Sequence, residues 1–326
     1  MKVASPRRAV ATASVSVALL LSAAACGSSS STTASGKPEK ADITIGATPV
    51  ESVVALYLAK NRGIFAAHGL HVTILTVAST SELVPAMRSG RVDVAAGQVA
   101  ALLAAQGQGE GPFKVLAAGL ELTPDVNEIV ALKSSGITSV SGLKGKRIMF
   151  NGAVGDGPLL TDSALATVGV KPGQVSTLVV PFPAMGAALV AHRADAAYCT
   201  QPYCNEIVQR DGGATVTDLD QGPAQGLLTA GYTALASWVK KYPRTAAAFA
   251  ASIVEASHVA DTNLAAVRQT LKTTLAIPAA VASVMPTGTF PASVTAAKLQ
   301  QVENLMLQFG ELKKPVDVTS LLTPQG

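Results

Sequence analysis

Residues 86–100 (AMRSGRVDVAAGQVA) and 188–202 (ALVAHRADAAYCTQP) follow one pattern. In each a helix ends, an arginine follows, and an aspartate two residues later opens a short apolar run. Arg91 and Asp93 thus correspond to Arg193 and Asp195. A short apolar run of this kind reads as a buried strand. Two α/β units of similar build, joined by crossing segments, are the simplest account.

Working outward, "ADITIGATP" (41–49) alternates apolar and polar positions and predicts a strand over 43–47 that ends in a Thr-Pro turn. "ESVVALYLAKNRG" has helical spacing and stops at Gly63, and a strand is expected over 71–77. "SELVPAMRSG" predicts a helix closing at Gly90, with Pro85 placing its start no earlier than about Ser81. The second unit repeats the order: "KRIMFNG" as a strand, "PLLTDSALATVG" as a helix with Pro158 in its first turn, then "VSTLVVPF" as a strand. Residues 237–284 are alanine-rich and helical by period. "TAAKLQQVENLMLQFGEL" is a last amphipathic helix ending at Gly310 and is expected to pack across one or both units.

The N-terminus is of another kind. Lys2, Arg7 and Arg8 precede an uncharged apolar segment too short to cross a bilayer as a mature helix, then "AAAC" ending in Cys26. This is the layout of an export leader over 1–25. Its small residues before a cysteine resemble the lipobox of bacterial lipoproteins, although Ala23 stands where leucine is usual; plain secretion is the alternative. The paired arginines of "SPRRAVA" also leave a twin-arginine export route open. "GSSSSTTASGKPEK" has almost nothing to bury, so 26–41 is expected to be a flexible tether. Losing the three leader cations takes the formal charge from +4 to +1, which points to neither nucleic acid nor acidic lipid as a partner. About 285 residues then remain, more than one core usually organises. The expected layout is a first lobe from 42–130, a second from 131–228, and a return to the first over 229–326.

Cys199 and Cys204 form an even pair in an exported chain, read first as a disulfide, with two free thiols as the alternative. A metal site is least favoured, because no histidine lies at ligand spacing beside them. No nucleophile elbow, zinc-protease motif or Cys/His pairing marks a catalytic or metal centre, so neither enzyme activity nor a cofactor is expected.

The segments "YLAKNRGIFAAHGLHVTI", "MRSGRVDVA", "GLKGKRI", "LATVGVKPGQV", "HRADAAYCTQPY" and "FAASIVEASHVADTN" occur in an order that resembles one family. It is the SsuA/TauA/NMT1-like group of solute-binding proteins of ABC importers, which serve nitrate, sulfonates, taurine and the pyrimidine precursor of thiamine. The resemblance covers about 43–323. It implies a type II periplasmic-binding-protein fold, two α/β lobes around a ligand cleft closed by hinge motion, with permease and ATPase subunits as partners. It also implies a monomer held at the outer face of the cell membrane through a lipid on Cys26. The chain departs from the family's pattern at His192, where glycine is usual and the backbone can need a positive φ. It departs again at Thr200–Pro202, where "T-Q-P" replaces "W-E-P", and at the two cysteines that bracket this tripeptide.

In such lobes ligands sit outside the carboxyl ends of the strands. The loops there nominate Pro49, Ser79, Thr80, Gln98, Asn151, Gly155, Asp156, Phe182, Gln201, Tyr203 and Tyr232 as ligand contacts. The glycines of "NGAVGDGP" leave backbone N-H groups open to a partner but do not make the dinucleotide fingerprint. Asp156 either caps the helix that follows or meets a cationic or amine-bearing ligand. Few basic residues lie in these loops, and Glu51, Glu121 and Asp156 add negative charge, so a neutral or amine-bearing heterocycle is favoured over an anion. Phe182, Tyr203 and Tyr232 offer ring faces, and Gln98, Asn151 and Gln201 offer hydrogen bonds. The alternatives are an anion carrier of the sulfonate, nitrate or taurine type, a sensor lobe, and an enzyme of thiamine-pyrimidine or menaquinone synthesis on the same fold.

Overall fold

A computed structural model of the chain describes residues 1, 36–77 and 80–323. Cys26, the expected leader from residue 2 onward, most of the expected tether, and Ser79 lie outside the described residues.

Ten strands occur among the described residues: β1 (Asp42–Ala47), β2 (His71–Thr76), β3 (Val94–Gln98), β4 (Phe113–Glu121), β5 (Asn127–Leu132), β6 (Arg147–Phe150), β7 (Ser176–Val179), β8 (Ala196–Thr200), β9 (Gly213–Asp218) and β10 (Leu228–Leu235). They form two five-stranded sheets in the orders β2-β1-β3-β10-β4 and β7-β6-β8-β5-β9. The orders are the same once each strand is replaced by its counterpart. In each sheet the first three strands run parallel, and the fourth is antiparallel to both its neighbours. That fourth strand arrives from the other sheet. β4 leads across to β5, and β9 leads back to β10.

The paired sequence stretches prove to be the same joint built twice. Asp93 accepts from the Thr44 N-H at 2.9 Å while its own N-H donates to the Thr44 carbonyl at 2.8 Å. Asp195 does the same with Arg147, at 2.8 and 2.9 Å. Each aspartate thus satisfies a backbone donor at the start of the neighbouring strand, where the ladder has no partner to offer. The turns before them match too. Gly90 has φ 73° and His192, its counterpart, φ 54°. The first joint carries extra contacts: Asp93 also takes the Lys40 ammonium and, at 2.8 Å, the indole N-H of Trp238.

Residues 36–41, expected to be part of a flexible tether, are instead bonded to the folded chain. Glu39 accepts from the backbone N-H groups of Arg244 and Thr245 at 3.2 and 2.9 Å, and the Lys40 N-H donates to the Thr245 hydroxyl at 3.0 Å. Arg244 and Thr245 lie in the first turn of the helix Pro243–Thr262, so a carboxylate there satisfies donors that the helix leaves open. Residues 36–41 therefore belong to the folded body.

The helix Pro243–Thr262 covers the outer face of the first sheet, where Phe249 stacks on Phe65 at 5.7 Å and meets the edge of Tyr232 at 5.6 Å. The last helix, Ala296–Phe309, ends at Gly310 with φ 78° and packs on helices of both sheets, Val99–Gly107 and Asp156–Thr167. Cys199 and Cys204 are joined as a disulfide, with Cα atoms 5.3 Å apart, tying the end of β8 to the first turn of the helix Tyr203–Arg210. No helix among the described residues is long and apolar enough to cross a membrane.

Candidate functional site

Loops at the carboxyl ends of the parallel strands of both sheets converge on an inner cavity of about 40 Å³. That is room for about three water-sized positions. The first sheet contributes Thr48, Thr80, Gln98 and Thr229; the second contributes Asn127, Asn151, Asp156 and Tyr198, with Phe182 beside them. No lysine, arginine or histidine is among its described lining residues, and Asp156 is the one acid.

Asp156 stands at the first position of the helix Asp156–Thr167, with Gly155 as N-cap at φ 126° and no side-chain capping bond. The N-cap position thus falls to Gly155 and not to Asp156. A Cβ at Gly155 would strike the Gln98 carboxamide, so glycine there meets both the strained backbone and the closeness of the facing loop. With its residue only 4% exposed, the Asp156 Oδ1 atom has no hydrogen-bond partner. Burial, and then the nearby Glu311 carboxyl, push the Asp156 pKa well above the usual aspartate range. The helix N-terminus acts the other way, but its ~1 kcal/mol is small beside several kcal/mol for desolvating a carboxylate. Burial thus favours the neutral acid, which can donate one hydrogen bond and accept another.

The remaining polar groups are arranged around it. The Tyr198 hydroxyl donates to Asn127 Oδ1 at 3.2 Å, which leaves the Asn127 amide N-H groups to serve the cavity. Burial and Asp156 both raise the Tyr198 pKa, so it remains a donor. The Thr48 hydroxyl is a second buried oxygen without a partner. An aromatic row runs through the site: Phe150 on Tyr198 at 6.4 Å, Tyr198 on Phe182 at 6.0 Å, and Phe182 stacked on Tyr203 at 5.4 Å.

Of the residues nominated from sequence, Thr80, Gln98, Asn151, Asp156 and Phe182 line this cavity, with Gly155 against Gln98. Pro49 and Tyr203 line an adjoining outer chamber. Gln201 and Tyr232 line neither. The Gln201 side chain donates to the Asp125 carbonyl and accepts from Asn205, both at 2.9 Å, and so holds the loop together. Tyr232 is 1% exposed and its ring packs against Phe249 on the outer face of its sheet. Glu51 and Glu121 also miss the cavity: Glu51 is buried against the Gly288 N-H, and Glu121 pairs with Lys298. Asn127, Tyr198 and Thr229 were not legible as site residues. Asn127 is the first residue of β5 and Thr229 the second of β10, and the antiparallel course of these crossing strands brings that end to the cleft. The signal available was a polar residue near the head of each run, "NEIVAL" and "LTAGYTAL".

Residues 36–276 match the NMT1-like family. The chain belongs to that family. Among curated relatives, this NMT1-like chain is 29% identical over 133 residues to the 4-amino-5-hydroxymethyl-2-methylpyrimidine phosphate synthase of Schizosaccharomyces pombe, 40% of this chain and 36% of that protein. It is 30% identical over 136 residues to the THI11 synthase of Saccharomyces cerevisiae, 41% of this chain and 38% of that one. The match thus spans little more than a third of these relatives. Solved structures share the fold at lower identity. The alkanesulfonate-binding protein SsuA from Xanthomonas axonopodis pv. citri, bound to MOPS, superposes with TM-score 0.74 at 20% identity, covering 87% of this chain and 99% of that one. The periplasmic nitrate-binding protein NrtA from Synechocystis PCC 6803 gives 0.73 at 18%, covering 88% and 87%. The NMT1-like chain therefore has the type II periplasmic-binding-protein fold.

Proposed function

We propose that the chain is the extracytoplasmic solute-binding subunit of an ABC importer and that its cleft captures a neutral or amine-bearing heterocycle. In this reading a lipid on Cys26 holds the protein at the outer face of the cell membrane. As a monomer, it closes the lobe of 42–130 and 229–326 onto the lobe of 131–228 and hands the solute to a permease driven by its ATPase.

One observation carries the choice of ligand: a buried acid, Asp156, lines a polar cavity that has no cationic side chain among its described residues. A nitrate or sulfonate there would face a carboxyl group and find no Lys or Arg. A ring nitrogen beside an exocyclic amine suits a neutral acid instead, since one accepts the carboxyl proton and the other donates to the carbonyl oxygen. Thr48 and the Asn127 amide can meet a second edge of such a ring.

A thermal-shift panel on the purified protein tests this reading. 4-Aminopyrimidine and its methylated derivatives should raise the melting temperature, whereas taurine, alkanesulfonates and nitrate should not. A ligand at a hundredfold over its dissociation constant adds about 2.7 kcal/mol of stability. A shift confined to the anions would overturn the choice of ligand. The curated synthases favour a second reading, an enzyme acting on a pyrimidine. Mass spectrometry of the ligand released from the complex separates the two, since a carrier returns it unchanged. Acyl labelling in the producing cell, lost on Cys26→Ser, checks the anchor.

A further inference from the structure

Next to the inner cavity lies a chamber of about 380 Å³, within the range typical of small-molecule sites. Pro49 and Val77 wall it from the first sheet; Pro181, Phe182, Pro183 and Tyr203 wall it from the second. Among the described residues it presents only apolar surface apart from threonine hydroxyls and the tip of Tyr203, and none of them is charged. Thr48 and Phe182 line both spaces, so the two adjoin at these residues.

We infer that the solute has two parts, and that this chamber is a second subsite which takes an aromatic or alicyclic body while only its polar edge enters the inner cavity. The inference rests on reading the cleft as a solute site. Size carries it first. The inner cavity, about 40 Å³, takes the polar edge of one ring but leaves no room for a fused second one, whereas the chamber measures about 380 Å³. Surface chemistry carries it next. The Phe182 and Tyr203 rings are stacked, 5.4 Å apart and 12° from parallel, and Pro49 lines the same chamber. A flat apolar body between an aromatic pair and prolines has its faces covered on both sides with no polar group left unpaired. The walls come from both sheets, so a body seated there joins them, and the same contacts that hold it favour the closed cleft.

The test compares 4-aminopyrimidine with 4-aminoquinazoline, which keeps the same polar edge and adds a fused benzene ring. Titration calorimetry on the purified protein should show the larger ligand bound about tenfold or more tightly. Thr76 is an exposed chamber residue at the end of β2, and Pro183 is an exposed one in the first turn of the helix Phe182–Val190. Thr76→Trp, and independently Pro183→Trp, should fill the chamber and remove the advantage of 4-aminoquinazoline. Either should weaken 4-aminopyrimidine by a smaller factor than 4-aminoquinazoline, because less of the smaller ligand lies in the chamber while the polar contacts stay intact. Equal affinities in the unaltered protein, or equal loss of both ligands in the folded variants, would overturn the subsite and leave the proposed function standing. Failure of both ligands to bind the unaltered protein overturns the proposed function and the subsite with it.

Discussion

Replacing Asp156 by asparagine should weaken binding of an amine-bearing heterocycle by about 10- to 100-fold while leaving the fold as stable as before, or more so. The two halves of this expectation come from the same fact. In the free protein the carboxyl group is 4% exposed, has an oxygen without a partner and lies near Glu311, so it is a cost to the fold. Asparagine is nearly the same size and cannot ionise, which removes the repulsion and the penalty for charging. In the complex the carboxyl can pass its proton to the ring and keep an ion-paired hydrogen bond, worth about 1.5–3 kcal/mol, that an amide cannot form. The pH dependence follows in direction. An acid whose folded pKa is raised holds its proton in the native state at pH values where the unfolded chain has lost it. Stability therefore falls as pH rises between those two values, and the gain from Asp156→Asn should be larger at pH 8 than at pH 4. Calorimetric titration and thermal melts at both pH values provide the comparison. Undiminished affinity in the variant would remove Asp156 from the binding set.

Glu51 should give the largest pH effect on folding without touching the cleft. It sits in the single turn Glu51–Val53 at 0% exposure, with one oxygen on the Gly288 N-H and the other unpartnered. Burial raises its pKa to about 8, and the bond from Gly288 only partly opposes this. Between about pH 4.5 and pH 8 the folded chain keeps a proton that the unfolded chain has released, so stability falls by as much as ~1.4 kcal/mol per pH unit. Glu51→Gln preserves the shape and the acceptor for Gly288 but cannot titrate. The difference in melting temperature between variant and parent should be near zero or negative at pH 4 and should rise steadily to a gain by pH 9. Glu128 and Glu311, both raised to about 7 by burial, tilt the parent's curve the same way and cancel in that difference. A difference that does not change with pH would mean that Glu51 is already charged in the folded protein.

The repeated Arg-x-Asp junction made the two-sheet architecture legible, because an aspartate that caps a neighbouring strand must stand at a fixed distance from a helix end. His192 was legible for a similar reason, since a helix that stops and reverses needs one residue at positive φ. The crossing strands were not. β4, β5 and β10 are buried on both faces, so "KVLAAGL", "EIVAL" and "TAGYTAL" show no alternation by which to tell inward from outward positions. Tyr232 was nominated as a cleft-loop residue, whereas it lies within β10 with its ring on the outer face. The same blindness hid Asn127 and Thr229. Asp156 marks the other limit. Its place at a helix start was plain from sequence, but whether an acid there caps the helix or lies buried depends on how closely Gln98 and Glu311 approach from other parts of the chain.

The chain's single tryptophan, Trp238, is held by Asp93 at the entry end of β3, whereas Gln98 at the exit end lines the inner cavity. Five residues of strand put about 17 Å between those ends. Indole emission will therefore follow unfolding and remain insensitive to an occupied cleft. Tyr198 and Tyr203 flank the two chambers, so near-ultraviolet difference absorbance or dichroism of tyrosine is the optical signal that should change on capture.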